Sequence, residues 1–178
     1  TCTLATPRDR RLAINKLLGK IKYLPTAERN DQAQALVDLS AAQIPTNVMM
    51  SPADVKLLRQ SGMEIGGHTV THPILATLDA ESAWREIAQG KEALEAIIGE
   101  KLTLFAYPNG VPQQDYKAEH IEMVKRAGFA CAVSTARGGA RPASDRFQLP
   151  RFSSWGATPE RFMIQLVRSQ LQRQTLFA

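Results

Sequence analysis

Glu64-Ile65-Gly66-Gly67-His68-Thr69-Val70-Thr71-His72-Pro73 is the stretch on which the reading of this chain turns. It holds two of the three histidines in 178 residues, four positions apart. A short apolar run leads in, a glycine pair precedes the first histidine, and a proline follows the second. Two imidazoles at this spacing on a loop can point at one metal ion. Zinc takes such nitrogens at about 2.0–2.1 Å and keeps a position open when catalytic. The helical zincin motif shares the spacing but needs a glutamate directly after the first histidine. Thr69 stands there instead, and the Gly and Pro flanks oppose a helix. Alone, the spacing also describes two solvated histidines.

Outward from this stretch, helices and apolar runs alternate. Ser51-Pro52-Ala53-Asp54 reads as N-cap, N1 proline and early acid of a helix that stops at Gly62. Val48-Met49-Met50 before it reads as a strand with buried methionines, and Met63-Glu64-Ile65 as the strand entering the histidines. Leu78-Asp79-Ala80-Glu81 opens the clearest helix, with Trp84, Ile87, Lys91, Leu94 and Ile98 on one stripe and Gly99 at its end. Leu102 to Tyr107 is a strand stopped by Pro108-Asn109-Gly110. Tyr116 to Ala127 is a helix closed by Gly128, and Cys131 to Ser134 a strand. Phe147 to Phe152 follows a Gly/Arg/Pro-rich loop, and Thr158-Pro159-Glu160 caps a helix to about Arg173.

Buried strands alternating with amphipathic helices predict an α/β fold with mostly parallel strands. A closed (β/α) barrel needs about eight strands. Four or five are visible, so an incomplete or distorted (β/α) barrel is expected, with a helical N-terminal segment. That segment carries helices from Pro7 to Leu24 and from Thr26 to about Ala42. The expected division is 1–46, a lead-in or insertion packed on the main domain, and 47–178, the βα domain. Active-site groups of βα folds gather at the carboxyl ends of strands. His68 and His72, the Tyr107-Pro108-Asn109-Gly110 turn, Ser134-Thr135 and Arg151 all occupy such ends.

Composition adds bounds. The hydrophobic fraction of 44% suits a globular core, and no apolar run is long enough to span a bilayer. The net charge of +5 permits an anionic partner. The basic residues are scattered, however, and read as solvated faces, which argues against nucleic acid. Cys2 and Cys131 have no metal or redox spacing. Cys131 reads as a small buried apolar strand residue, and His120 as a solvated helix residue. No signal peptide is visible, and the Thr1-Cys2 start suggests a piece of a longer protein.

The quoted stretch resembles the second motif, His-(Ser/Thr)-x-x-His, of the polysaccharide deacetylases (carbohydrate esterase family 4, the NodB-homology domain). Phe105-Ala106-Tyr107-Pro108-Asn109-Gly110 resembles the third-motif region of a subgroup, and Asp115-Tyr116 follows at that subgroup's spacing. Ser51 to Gly62 matches the family's lead-in, so the resemblance covers roughly Val48 to Trp155. It implies a metal-dependent hydrolase that removes acetyl groups from an N- or O-acetylated glycan, acting outside the cytoplasm. The metal, usually zinc, would be held by His68, His72 and an Asp. Asn109 would lie in an oxyanion turn. Tyr107, Pro108, Gly110, Asp115, Arg151 and Trp155 would contact substrate.

Departures from the pattern are specific. The family's first motif carries paired aspartates, one a ligand and one the general base, and no Asp-Asp pair occurs here. Asp9, Asp31 and Asp38 lie in helix-like polar stretches. Ala106 aligns with the family's third-motif arginine, and no histidine follows His120 to act as general acid. A missing base removes about 10²–10⁴ in rate, and a missing ligand weakens the metal site. The chain alone is therefore expected to be weak or inactive. Two other readings stay open: a non-catalytic deacetylase-like module binding glycan or protein, and a basic domain binding anionic polymer by charge alone.

Overall fold

The computed structural model describes residues 3–40, 43–152, 158–172, 174 and 177–178. The chain divides into two compact units, Thr1–Val48 and Met49–Ala178. The first contains α1 (Pro7–Ile21) and α2 (Thr26–Ser40). Thr6 starts α1 with a reciprocal cap: its hydroxyl accepts from the Asp9 N–H at 3.1 Å, and the Asp9 carboxylate accepts from the Thr6 N–H at 3.0 Å.

The second unit runs α3 (Pro52–Gln60), α4 (Ala80–Ile98), β1 (Leu104–Ala106), α5 (Ala118–Arg126), β2 (Cys131–Ser134), β3 (Leu149–Pro150) and α6 (Pro159–Leu171). The predicted caps are in place. Ser51 and Asp54 close a capping box on α3, and the Asp79 carboxylate accepts from the Ser82 N–H at 2.8 Å to start α4. The strands form one parallel sheet in the order β1-β2-β3. The histidine stretch joins its edge through a single parallel bridge, Gly67 to Phe105. The sheet does not close, in keeping with an incomplete barrel.

Two expected strands are not formed. Val48 to Met50 pairs with nothing among the described residues, and Met49 and Met50 lie 85% and 63% exposed instead of in the core. Met63 to Ile65 is irregular. An extended run is held only by a neighbouring strand that takes its N–H and C=O groups, and local sequence supplies none.

The core packs α4 and α5 on the sheet: Ile87, Ile121 and Val124 from the helices, Phe105 and Ala132 from the strands, with Leu75, Phe129 and Phe147. Trp84 is half-buried against this core, with Arg126 stacked 3.7 Å from its ring centre. Cys131, expected to be buried, is a half-buried free thiol.

His120 corrects its sequence reading. It is buried, at 1% exposure. Its Nδ1 accepts from the Lys117 N–H at 2.9 Å, satisfying a free donor at the start of α5. A surface position was expected because helical periodicity does not show that the Ile74–Thr77 turn covers this face.

Candidate metal and deacetylation site

Register brings the site together. Gly67 pairs with Phe105, Ala106 with Val133, and Ser134 with Pro150. Parallel strands in this register end at one edge. His68, the Tyr107–Gly110 turn, Thr135 and Arg151 therefore leave the sheet side by side. Hydrogen bonds lock the row: Gly67 N–H to the Leu104 carbonyl at 2.8 Å, Thr135 N–H to the Gly110 carbonyl at 2.8 Å, and Arg151 N–H to the Ser134 carbonyl at 2.9 Å.

The two imidazoles stand edge to face with centroids 4.7 Å apart. His68 Nδ1 lies 2.6 Å from the Ala106 carbonyl oxygen. That oxygen only accepts, so the neutral ring carries its proton on Nδ1 and presents Nε2 as a lone pair, the arrangement that orients metal-binding histidines. Burial, with lesser repulsion from His72 and Arg151, pushes the His68 pKa below its ordinary value, which favours the neutral, ligating form.

The loop between the histidines is strained and held. Thr69 and His72 have φ of 65° and 55°, and for a β-branched threonine this is an uncommon conformation. Glu86 on α4, which sequence reasoning missed, clamps the loop. Its carboxylate accepts from the Val70 and Thr71 N–H groups at 2.8 and 2.9 Å and from the Thr71 hydroxyl at 2.7 Å. One helical turn further on, a Cβ at Gly90 would lie 3.1 Å from the Thr69 carbonyl carbon, so glycine lets the loop rest on the helix. The only available sequence signal was the four-residue spacing of Glu86 and Gly90 on one helix face, which many helices share.

The neighbouring turn is built by Asp115. It is buried, and its carboxylate accepts from the Val111 N–H at 2.8 Å while its carbonyl accepts from Ala76 N–H at 3.0 Å. Asn109 sits half-exposed at the tip with φ of 57°, and no described residue accepts its N–H. Pro108 and Gly110 are buried. Tyr107 is enclosed in the core, its ring stacked on Tyr116 at 3.8 Å and 4°. Burial raises the pKa of both phenols, Tyr116 to about 12. Arg151 is half-buried, with its guanidinium 3.5 Å from where a Cβ on Gly110 would stand. It thus puts a cation beside the turn although Ala106 cannot. Trp155 lies outside the described residues.

Two imidazoles with one Nε2 freed by a backbone carbonyl fit a metal as a pair of its ligands. Among the described residues no group of three His, Cys, Asp or Glu could hold a metal, so no carboxylate joins them.

Residues 30–132 match the family model for polysaccharide deacetylase. The chain belongs to the polysaccharide deacetylase family. A deacetylase of Streptococcus pyogenes, PplD, solved with acetate, superposes with a TM-score of 0.61 at 23% identity, over 71% of this chain and 53% of that one. The putative polysaccharide deacetylase YxkH of Bacillus subtilis is 24% identical over 102 residues, 57% of this chain and 35% of YxkH. A gellan lyase of a Bacillus species is 37% identical over 76 residues, 42% of this chain and 3% of the lyase. The chain thus spans about half or less of these relatives. Enzymes of this family hydrolyse acetyl groups on glycans and generally depend on a metal.

Proposed function

We propose that this chain carries the imidazole side of a metal-dependent glycan deacetylase site, with His68 and His72 as ligands of a divalent metal, zinc by ligand preference. The observation that carries this is the 2.6 Å contact from His68 Nδ1 to the Ala106 carbonyl, beside His72 and next to the Asn109 turn. Such a metal supplies activation of water and polarisation of the acetyl carbonyl. The chain's own residues do the rest. Ala106 fixes the His68 tautomer and aims Nε2. Glu86 and Gly90 hold the loop in the conformation that keeps the rings together. The Asn109 N–H offers a donor to a developing oxyanion, and the Arg151 guanidinium favours negative charge at the same place. The substrate is an N- or O-acetylated glycan, and an extracytoplasmic location belongs to the same proposal.

One observation favours the non-catalytic alternative: no described carboxylate stands with the histidines as third ligand or base. Zinc content and binding of an N-acetylated chito-oligosaccharide separate the readings. Wild type is expected to take up zinc and His68→Ala to lose it, with about 10-fold or greater weakening. Equal zinc content in the two proteins would remove the site. Sugar binding without zinc uptake would favour the binding module.

A further inference from the structure

Three arginines far apart in sequence line one cavity of about 540 Å³. Arg137 lies in the loop after β2, Arg151 follows β3, and Arg168 is on α6. The walls are tied together. Gly139 N–H donates to the Gln172 carbonyl at 3.0 Å, and the Ser169 hydroxyl reaches the Gly138 carbonyl at 3.5 Å. None of the three guanidiniums forms an ion pair with a described carboxylate; the ion pairs of the described residues use Arg59, Arg85, Lys91 and Lys125. Like charges around a concavity with low-dielectric walls focus a positive field into it. A planar guanidinium matches a carboxylate with two parallel hydrogen bonds.

The rest of the lining suits a sugar ring. Phe152 offers an aromatic face, and Gln172 lies on the same lining. The Thr135 hydroxyl, on the same wall, is enclosed and has no partner among the described residues. The cavity also adjoins the histidine site through Arg151, which reaches the Gly110 turn and is near enough to His68 to act on its ring.

We propose that this cavity is a subsite for an acidic sugar, its carboxylate taken by Arg137 and Arg168 while Arg151 stands where the cavity meets the Gly110 turn, so that the glycan presented to the histidines is a uronate-containing polyanion. The assignment rests on the deacetylase reading for its choice of glycan. Its test needs neither metal nor turnover, so the two can fail separately.

Calorimetry with metal chelated would compare a hexamer of 1,4-linked galacturonate with neutral maltohexaose. The acidic hexamer is expected to bind roughly 10-fold tighter or more. Arg137→Gln and Arg168→Gln, both at exposed positions, are each expected to lose several-fold, and together to erase the preference. Arg141→Gln, an exposed arginine outside the cavity, is expected to change nothing. Equal binding of the two hexamers would overturn the subsite, as would equal losses in Arg141→Gln. A six-nucleotide single-stranded DNA that binds as tightly through Arg137 and Arg168 would overturn the sugar assignment.

Discussion

Tyr107 keeps a hydroxyl inside the core with no partner among the described residues. A buried hydroxyl without a hydrogen bond costs about 1–3 kcal/mol. Its ring, by contrast, stacks on Tyr116 and meets Phe105 edge to face at 5.3 Å. Phenylalanine keeps both ring contacts and removes the penalty. Tyr107→Phe is therefore expected to leave thermal stability unchanged or raise it by about 1 kcal/mol. Glycan binding should also be unaffected, because an enclosed hydroxyl has no face for substrate. A marked loss of sugar affinity in this variant would instead support the substrate contact that the family resemblance implies for Tyr107.

At the scale of elements, the histidine loop depends on α4 more than on its own sequence. Three hydrogen bonds converge on the Glu86 carboxylate from a loop that also carries two residues at positive φ. Glu86→Ala frees those donors at an exposed surface, where water replaces the lost partner. Global stability should fall by only about 1 kcal/mol. The two imidazoles lose their fixed spacing, however, and zinc affinity should drop roughly 10–100-fold, as when the groups that orient metal ligands are removed. Zinc titration against a competing chelator measures this. Wild-type affinity in Glu86→Ala would show that the loop holds its shape unaided.

For the molecule as a whole, buried His120 links folding to pH. Burial holds its pKa below the ordinary value of about 6.5. The unfolded chain therefore binds this proton at higher pH than the folded one. The stability is fully present above pH about 6.5 and is lost as pH falls from there toward the lowered folded value. The melting temperature should drop between about pH 7 and 5, and His120→Gln should flatten that slope; an unchanged slope would dismiss the linkage. This residue also marks how much was legible in advance. The Ser51–Asp54 box, the Asp79 cap, the helix stripe around Ile87 and the His68–His72 pair were all readable, because caps and periodicity act between residues a few positions apart. The failed strand at Val48–Met50, the cover over His120, the Glu86 clamp and the gathering of Arg137, Arg151 and Arg168 were not. Each requires a partner distant in sequence, and only the folded chain, by setting register and packing, decides which distant groups meet.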